Sequence, residues 1–159
     1  SASHTTFSLN MGTRSRIGIE LNDGSILSAY HHWDGYPTWL GKVLTKEYNT
    51  KEKVANLIDG GDMSCCWSDS IWGKQLPKGE YAPEYYSARG EDCPPRYDKD
   101  MEEFFSDGEE YSYIFRNGNW FAYDMHQFDD MVAPEPVEIP AWPVDLVSHG
   151  ILKPHQDAL

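Results

Sequence analysis

Apolar residues on alternate positions mark the first readable element of the chain. In Arg16-Ile17-Gly18-Ile19-Glu20-Leu21 the alternation predicts a half-buried strand, and Asn22-Asp23-Gly24 interrupts it. Asp-Gly between alternating runs predicts a tight reversal, because both turn residues must accept positive φ. The return strand then covers Ser25 to His32. With Asp23-Gly24 as a two-residue turn, Leu21 is expected opposite Ile26 and Ile17 opposite Tyr30, with Arg16 and His31 on the other face. A second hairpin is written the same way. Tyr111 to Arg116 leads through Asn117-Gly118 into Asn119 to Asp124, which sets Phe115 opposite Trp120 and Ile114 opposite Phe121.

Between the hairpins the period changes. Trp39, Leu40, Val43, Leu44 and Tyr48 recur at helical spacing after Thr38, which is placed to cap them. Asn49, with Glu52 in capping-box position, predicts a second helix with Val54, Leu57 and Ile58 as its buried stripe and Asp59-Gly60-Gly61 as its end. Asp98 to Ser106 reads as a short acidic helix with Met101, Phe104 and Phe105 inward. From Asp62 to Pro95 no period holds, and a long irregular loop is expected. Trp67, Trp72, Tyr81, Tyr85 and Tyr86 within it argue against simple disorder. Pro134, Pro136, Pro140 and Pro143 punctuate a tail that is expected to wrap the domain from about residue 133, with a last apolar segment near Val144 to Leu152. The fold class expected is α+β: one domain over residues 11–159, its antiparallel sheet built from two hairpins, packed by two or three short helices and carrying long irregular loops. Ser1 to Asn10, a polar stretch ahead of Met11, is read as an extension or expression-derived segment.

Charge narrows the function classes. The chain of 159 residues has 26 acidic and 13 basic side chains, a formal net charge of −13. Such a field repels phosphate backbones, and no basic patch interleaves with aromatics, so direct nucleic-acid binding is disfavoured. The same field suits a basic or nucleic-acid-binding host protein as partner, and it also serves plain solubility. Cys65 and Cys66 are adjacent and Cys93 stands apart, a pattern of reduced thiols with no zinc-type spacing. No apolar run approaches the length of a membrane span, and no membrane partner is expected.

Two segments are candidate sites. His31-His32-Trp33-Asp34-Gly35-Tyr36-Pro37 joins a strand end to a helix start, where backbone N–H groups attract anions. The same residues also make an ordinary turn plugged by Trp33 and Tyr36. Arg89-Gly90-Glu91-Asp92 is the second: an arginine beside a flexible glycine can grip a planar anion or pair with its own carboxylates. Arg14 and Arg16 complete the set of binding candidates. No catalytic signature, metal ligand set or cofactor motif is present in the sequence, and Cys65 or Cys66 with His126 is a weak nucleophile–base pairing. No metal, no cofactor and no catalytic residue are therefore assigned.

Taken in order, Met11-Gly12-Thr13-Arg14-Ser15-Arg16-Ile17-Gly18, His32-Trp33-Asp34-Gly35-Tyr36-Pro37, Gly41-Lys42, Glu52-Lys53-Val54, Leu57-Ile58, Gly61-Asp62, Arg89-Gly90-Glu91-Asp92 and the Glu110-to-Trp120 strand resemble a family of small tailed-bacteriophage proteins of unassigned function. The similarity runs from about Met11 to Asp124, and departs from the family pattern at His31, at Cys65-Cys66-Trp67 and in the Pro-rich tail. It implies a protein made in the cytoplasm of an infected bacterium, and it supplies no activity or catalytic residue. The leading expectation is a non-enzymatic phage accessory protein that binds and modulates a host component, for host takeover or inhibition of an antiviral defence system. A binder or sponge for a nucleotide-like small ligand is the alternative. A hydrolase or transferase using His32, Asp34 and Glu91, and a virion-associated protein, rank below both.

Overall fold

Both hairpins form, and the way they lie beside one another sets the rest. The computed structural model describes residues 12–127 and 135–141. The expected extension at Ser1–Asn10 and the tail segment near Val144 to Leu152 lie outside the described residues. Strand β1 (Ser15–Glu20) pairs antiparallel with β2 (Ile26–His31). Of the loop residues Asn22, Asp23 and Gly24, only Gly24 takes positive φ, at 87°. Leu21 N–H donates to Ser25 C=O at 2.8 Å and Gly24 N–H to Leu21 C=O at 3.0 Å, which closes a three-residue loop. The expected two-residue turn is thereby corrected, and the register moves by one. Ile17 faces Ala29, Arg16 faces Tyr30 and Ser15 faces His31. Arg16 and His31, expected on one face, therefore lie on opposite ones: His31 goes to the side of Ile17, and Tyr30 to the side of Arg16.

The second hairpin follows its pattern. β8 (Tyr111–Arg116) and β9 (Asn119–Asp124) meet through Asn117 at φ 52° and Gly118 at φ 81°, with Phe115 opposite Trp120 and Ile114 opposite Phe121. The sheet as a whole is mixed, a correction to the antiparallel expectation. β1 lies parallel to β8, with Arg16 beside Ser112 and Gly18 beside Ile114. Parallel neighbours need a long crossover, and the chain between the hairpins supplies it.

That crossover lays two helices on one face. Pro37–Gly41 makes a π-helical turn that runs into α1 (Lys42–Glu47), and α2 (Lys51–Asp59) follows. Proline at the first helical position replaces the expected Thr38 cap, its fixed φ being suited to that place. The second cap is Thr50, whose Oγ1 accepts Lys53 N–H at 3.2 Å; Asn49 sits one residue too early. Trp39, Leu40, Val43, Leu44, Val54, Leu57 and Ile58 bury against Ile17, Ile19, Ala29, Tyr113, Phe115 and Trp120. Val137 N–H donates to Ala122 C=O at 2.7 Å, so the described residues 135–141 meet β9 at an isolated bridge.

The stretch from Asp62 to Pro95 is structured, against expectation. β3 (Met63–Ser68) and β6 (Ala82–Tyr85) extend the sheet, and β4 (Ser70–Ile71) with β5 (Lys74–Gln75) makes a separate small hairpin. The register of β3 on β6 shifts twice, so alternation is lost from the sequence although pairing persists. Trp67 stacks flat on Tyr81 at 5.0 Å, and Trp72 Nε1 donates to Tyr85 C=O at 2.8 Å. The main sheet has seven strands in the order β6-β3-β2-β1-β8-β9, with β7 (Arg96–Asp98) pairing β2 antiparallel. On its second face α3 (Met101–Ser106), capped by Asp100, seats Phe104 and Phe105 on Ile26, Ile114 and Tyr123. Among the described residues no helix is long and apolar enough to cross a membrane.

Two glycines separate backbone strain from close packing. A Cβ at Gly118 would meet nothing within 4 Å, whereas one at Gly61, at φ 83°, would lie 2.0 Å from Cys93 O. Gly118→Ala is expected to cost about 1 kcal/mol in urea denaturation, and Gly61→Ala about 3 kcal/mol or more. Equal losses would contradict the seating of Cys93 on Gly61.

Candidate functional site

The segment from His31 to Tyr36 is divided between the two sides of the sheet. His31 is fully buried on the helix side, where its Nε2 accepts Cys66 N–H at 3.1 Å and its ring lies 6.4 Å from that of Trp39. Its Nδ1 has no partner among the described residues. Burial pushes its pKa down to about 3, so the ring is neutral, and the accepting Nε2 places the proton on Nδ1. Asp34, at φ 54°, accepts the Tyr36 hydroxyl at 3.2 Å, and Tyr36 packs against the helix-side core. Burial first, and Asp34 second, raise the Tyr36 phenol to about 12. Gly35 between them is a latch. Its N–H donates to Thr13 C=O at 2.8 Å and its C=O accepts the Tyr113 hydroxyl at 2.6 Å. This half of the segment builds the fold.

His32 and Trp33 turn the other way. His32 Nδ1 and the Tyr30 hydroxyl are 2.7 Å apart, and Trp33 stands edge-on to His32 at 4.6 Å with 41% of its surface exposed. Trp33 N–H donates to Ser64 C=O at 2.9 Å, which fixes its backbone. Burial raises the Tyr30 phenol to about 12, and burial followed by the charge of Arg14 lowers the His32 pKa. The phenol therefore keeps its proton, and Nδ1 is the ring nitrogen of His32 that it engages.

Register places the arginines beside this pair. Arg16 lies opposite Tyr30 and beside Ser112, and Arg14, just ahead of β1, contacts Glu110 and acts on the His32 imidazole through its charge. Arg14 N–H donates to Glu110 Oε2 at 3.1 Å, and Tyr111 N–H donates to Arg14 C=O. Arg16 is only 8% exposed. Its Nη1 donates to Ser28 Oγ at 3.0 Å, and its Nε and the buried Ser112 Oγ have no partner among the described residues. Burial first, and Arg96 second, lower the Arg16 pKa, while Asp62, Glu109 and Asp107 raise it through space. Asp62 Oδ1 accepts Tyr30 N–H at 3.0 Å, filling the gap along β2 between its pairing with β7 and with β3. Helix α3 covers the Ile26–Ile114 half of this face. Beyond its end a cavity of ≈ 420 Å³ opens, with Arg14, Phe105, Gly108 and Glu110 in its wall.

The second sequence candidate folds onto itself. Arg89 Nε meets Glu91 Oε2 at 2.6 Å, and the guanidinium lies over Trp72 at 4.0 Å and Tyr86 at 5.2 Å. Gly90 makes the bend at φ 89°, and Asp92 is exposed. The Tyr86 hydroxyl feels Arg89, Glu91 and Asp62, and the Tyr30 hydroxyl feels Tyr86 and Asp62. Asp62 links the stretches that lead into the two candidate segments, its C=O accepting Tyr86 N–H at 3.2 Å and its Oδ1 accepting Tyr30 N–H at 3.0 Å. His32, Asp34 and Glu91 are each engaged by a different side chain, Tyr30, Tyr36 and Arg89.

The cysteines are placed for packing. Cys66 is fully buried with its thiol pushed well up, and the Cys65 thiol, raised by burial, has Ser64, Ser68 and Glu84 as neighbours. His126 is exposed and lies 3.1 Å from Asp124. Among the described residues no group of three potential ligands is disposed to hold a metal. Tyr30, Asp62 and Ser112 were absent from the sequence candidates. Tyr30 was legible as the residue two before His32 on an alternating strand, but the misplaced register put it on the opposite face from Arg16.

The neutral, buried His31 ties stability to pH. Unfolding releases it to an ordinary value near 6.5, so the unfolded chain takes up the proton first as pH falls. Its contribution is full above about pH 6.5 and declines toward pH 3 by up to about 1.4 kcal/mol per unit. His31→Gln is expected to show a shallower loss than the wild type in urea denaturations between pH 7 and pH 4.5; parallel curves would refute the assignment. No family model, curated protein or solved structure matches this chain.

Proposed function

We propose that the chain is a non-enzymatic accessory protein, of the tailed-phage kind its sequence resembles, which acts in the cytoplasm of an infected bacterium by binding and modulating a host component. Host takeover or inhibition of an antiviral defence system is the role this reading assigns. The observation that carries it is Trp33. A large indole, 41% exposed, is held on a backbone hydrogen-bonded to β3 and braced edge-on by His32. Rigid exposed aromatics make strong anchors in protein interfaces, because little conformational entropy is lost when they are covered. The net charge of −13 supports a basic or nucleic-acid-binding host protein as the partner.

A second reading, a nucleotide-like small ligand, is favoured by one specific feature: the buried Arg16 guanidinium, which has no carboxylate in contact among the described residues.

Affinity capture from bacterial lysate with the wild type and Trp33→Ala, both checked by thermal melting, tests the leading reading. A host factor enriched by the wild type and reduced at least about tenfold by the variant is the expected result. No enriched factor, or equal retention by both proteins, would remove it.

A further inference from the structure

We propose that the open half of the second sheet face is a receptor for a singly charged oxyanion, a phosphodiester carried by a nucleotide-like small molecule, with Arg14, Arg16 and His32 as its donors. The inference rests on the small-ligand reading and names the ligand class and the site.

Comparison of two neighbouring arginines carries the argument. Arg96, opposite Ser28 on β7, uses its whole guanidinium: Nε to Asp98 at 2.9 Å, Nη1 to Asp107 Oδ2 at 3.0 Å and to its C=O at 2.9 Å, and Nη2 to Phe104 C=O at 3.3 Å. Arg16 lies on the other side of Ser28 and is more deeply buried, yet among the described residues it makes one hydrogen bond, to a neutral hydroxyl. Retaining a desolvated cation without a contacting carboxylate is expensive, and an incoming oxyanion removes that cost. The orphaned Ser112 hydroxyl lies beside it on β8.

The other donors flank the same ladder. Arg14 is exposed, its backbone N–H donates to Glu110, and its charge reaches His32. With the Tyr30 hydroxyl on Nδ1, Nε2 is the ring nitrogen that His32 has left for a ligand. Two guanidiniums and one imidazole are therefore carried by adjoining stretches in and beside β1 and β2.

The surrounding carboxylates set the ligand charge. Asp62 is committed to Tyr30 N–H and Asp107 to Arg96, but both, with Glu109, still act on Arg16 through space. A second negative charge on the ligand would be repelled, so a phosphodiester or other monoanion fits better than a dianionic phosphomonoester. Trp33, at 4.6 Å from His32 and exposed, offers a flat surface at the rim on which a base can stack.

The test is calorimetric titration at pH 7.5 with 3′,5′-cyclic AMP, 3′,5′-cyclic GMP, 5′-AMP, inorganic phosphate and adenosine. The proteins are the wild type, Arg14→Gln and Arg16→Lys. Arg14 is exposed, so Arg14→Gln keeps the test valid even if Arg16→Lys is destabilised. A cyclic nucleotide is expected to bind, 5′-AMP and phosphate more weakly, and Arg14→Gln to raise the Kd roughly tenfold. Equal binding by wild type and Arg14→Gln, or adenosine binding as tightly as the cyclic nucleotides, would overturn the receptor and leave the small-ligand reading standing. Phosphate binding as tightly as the cyclic nucleotides would overturn the phosphodiester assignment. Failure of every probe to bind would overturn the receptor and remove its support for the small-ligand reading.

Discussion

Gly24 in the left-handed region decides which side chains of the first hairpin meet helix and which meet open sheet. Because Asn22, Asp23 and Gly24 form a three-residue loop, β2 returns with Ala29, not Tyr30, across from Ile17. Side chains alternate along a strand, so that single offset assigns a whole set at once. Ile17, Ile19, Ala29 and His31 join the helix-side core, and Arg16, Ser28 and Tyr30 gather on the opposite face. The Asp23 carboxylate, held low by hydrogen bonds from Ser25, locks the loop in this form.

The second constraint is the parallel contact of β1 with β8. It brings Ser112 beside Arg16 and Glu110 beside Arg14, residues nearly a hundred positions apart in the chain. Helix α3 then shields only the half of that face where Ile26 and Ile114 project, because Phe104 and Phe105 both lie there. The remaining half keeps its polar side chains under partial cover. Burial accounts for the upward shift of the Tyr30 phenol and the downward shift of the His32 imidazole, and it makes Arg16 a cation in a low-dielectric setting.

The aromatic middle of the chain is a brace between elements. Trp72 accommodates positive φ at 47° while its indole N–H bonds the carbonyl of Tyr85 and its backbone N–H bonds Glu84. Tyr85 in turn donates to Leu57 C=O at 2.6 Å, tying β6 to the end of α2. Arg89 closes over Trp72 and Tyr86. Each of these bonds is local to a pair of residues and follows no period, which is why a strand with two register shifts read as a loop.

Local rules were sufficient for the existence of the two hairpins, the register of the second, the buried stripe of α2, the inward pair Phe104 and Phe105, and the plug role of Tyr36. Each depends on residues within a turn or two of one another, where propensity and spacing act directly. Tertiary contacts alone decided the mixed sheet, the burial of His31 against Cys66, the gap filled by Asp62 and the grouping of Arg14, Arg16, Tyr30, His32 and Ser112. Those depend on register and on the pairing of distant strands. A one-residue offset in a loop, invisible to alternation because Asp-Gly serves both loop lengths, moves every side chain to the other face.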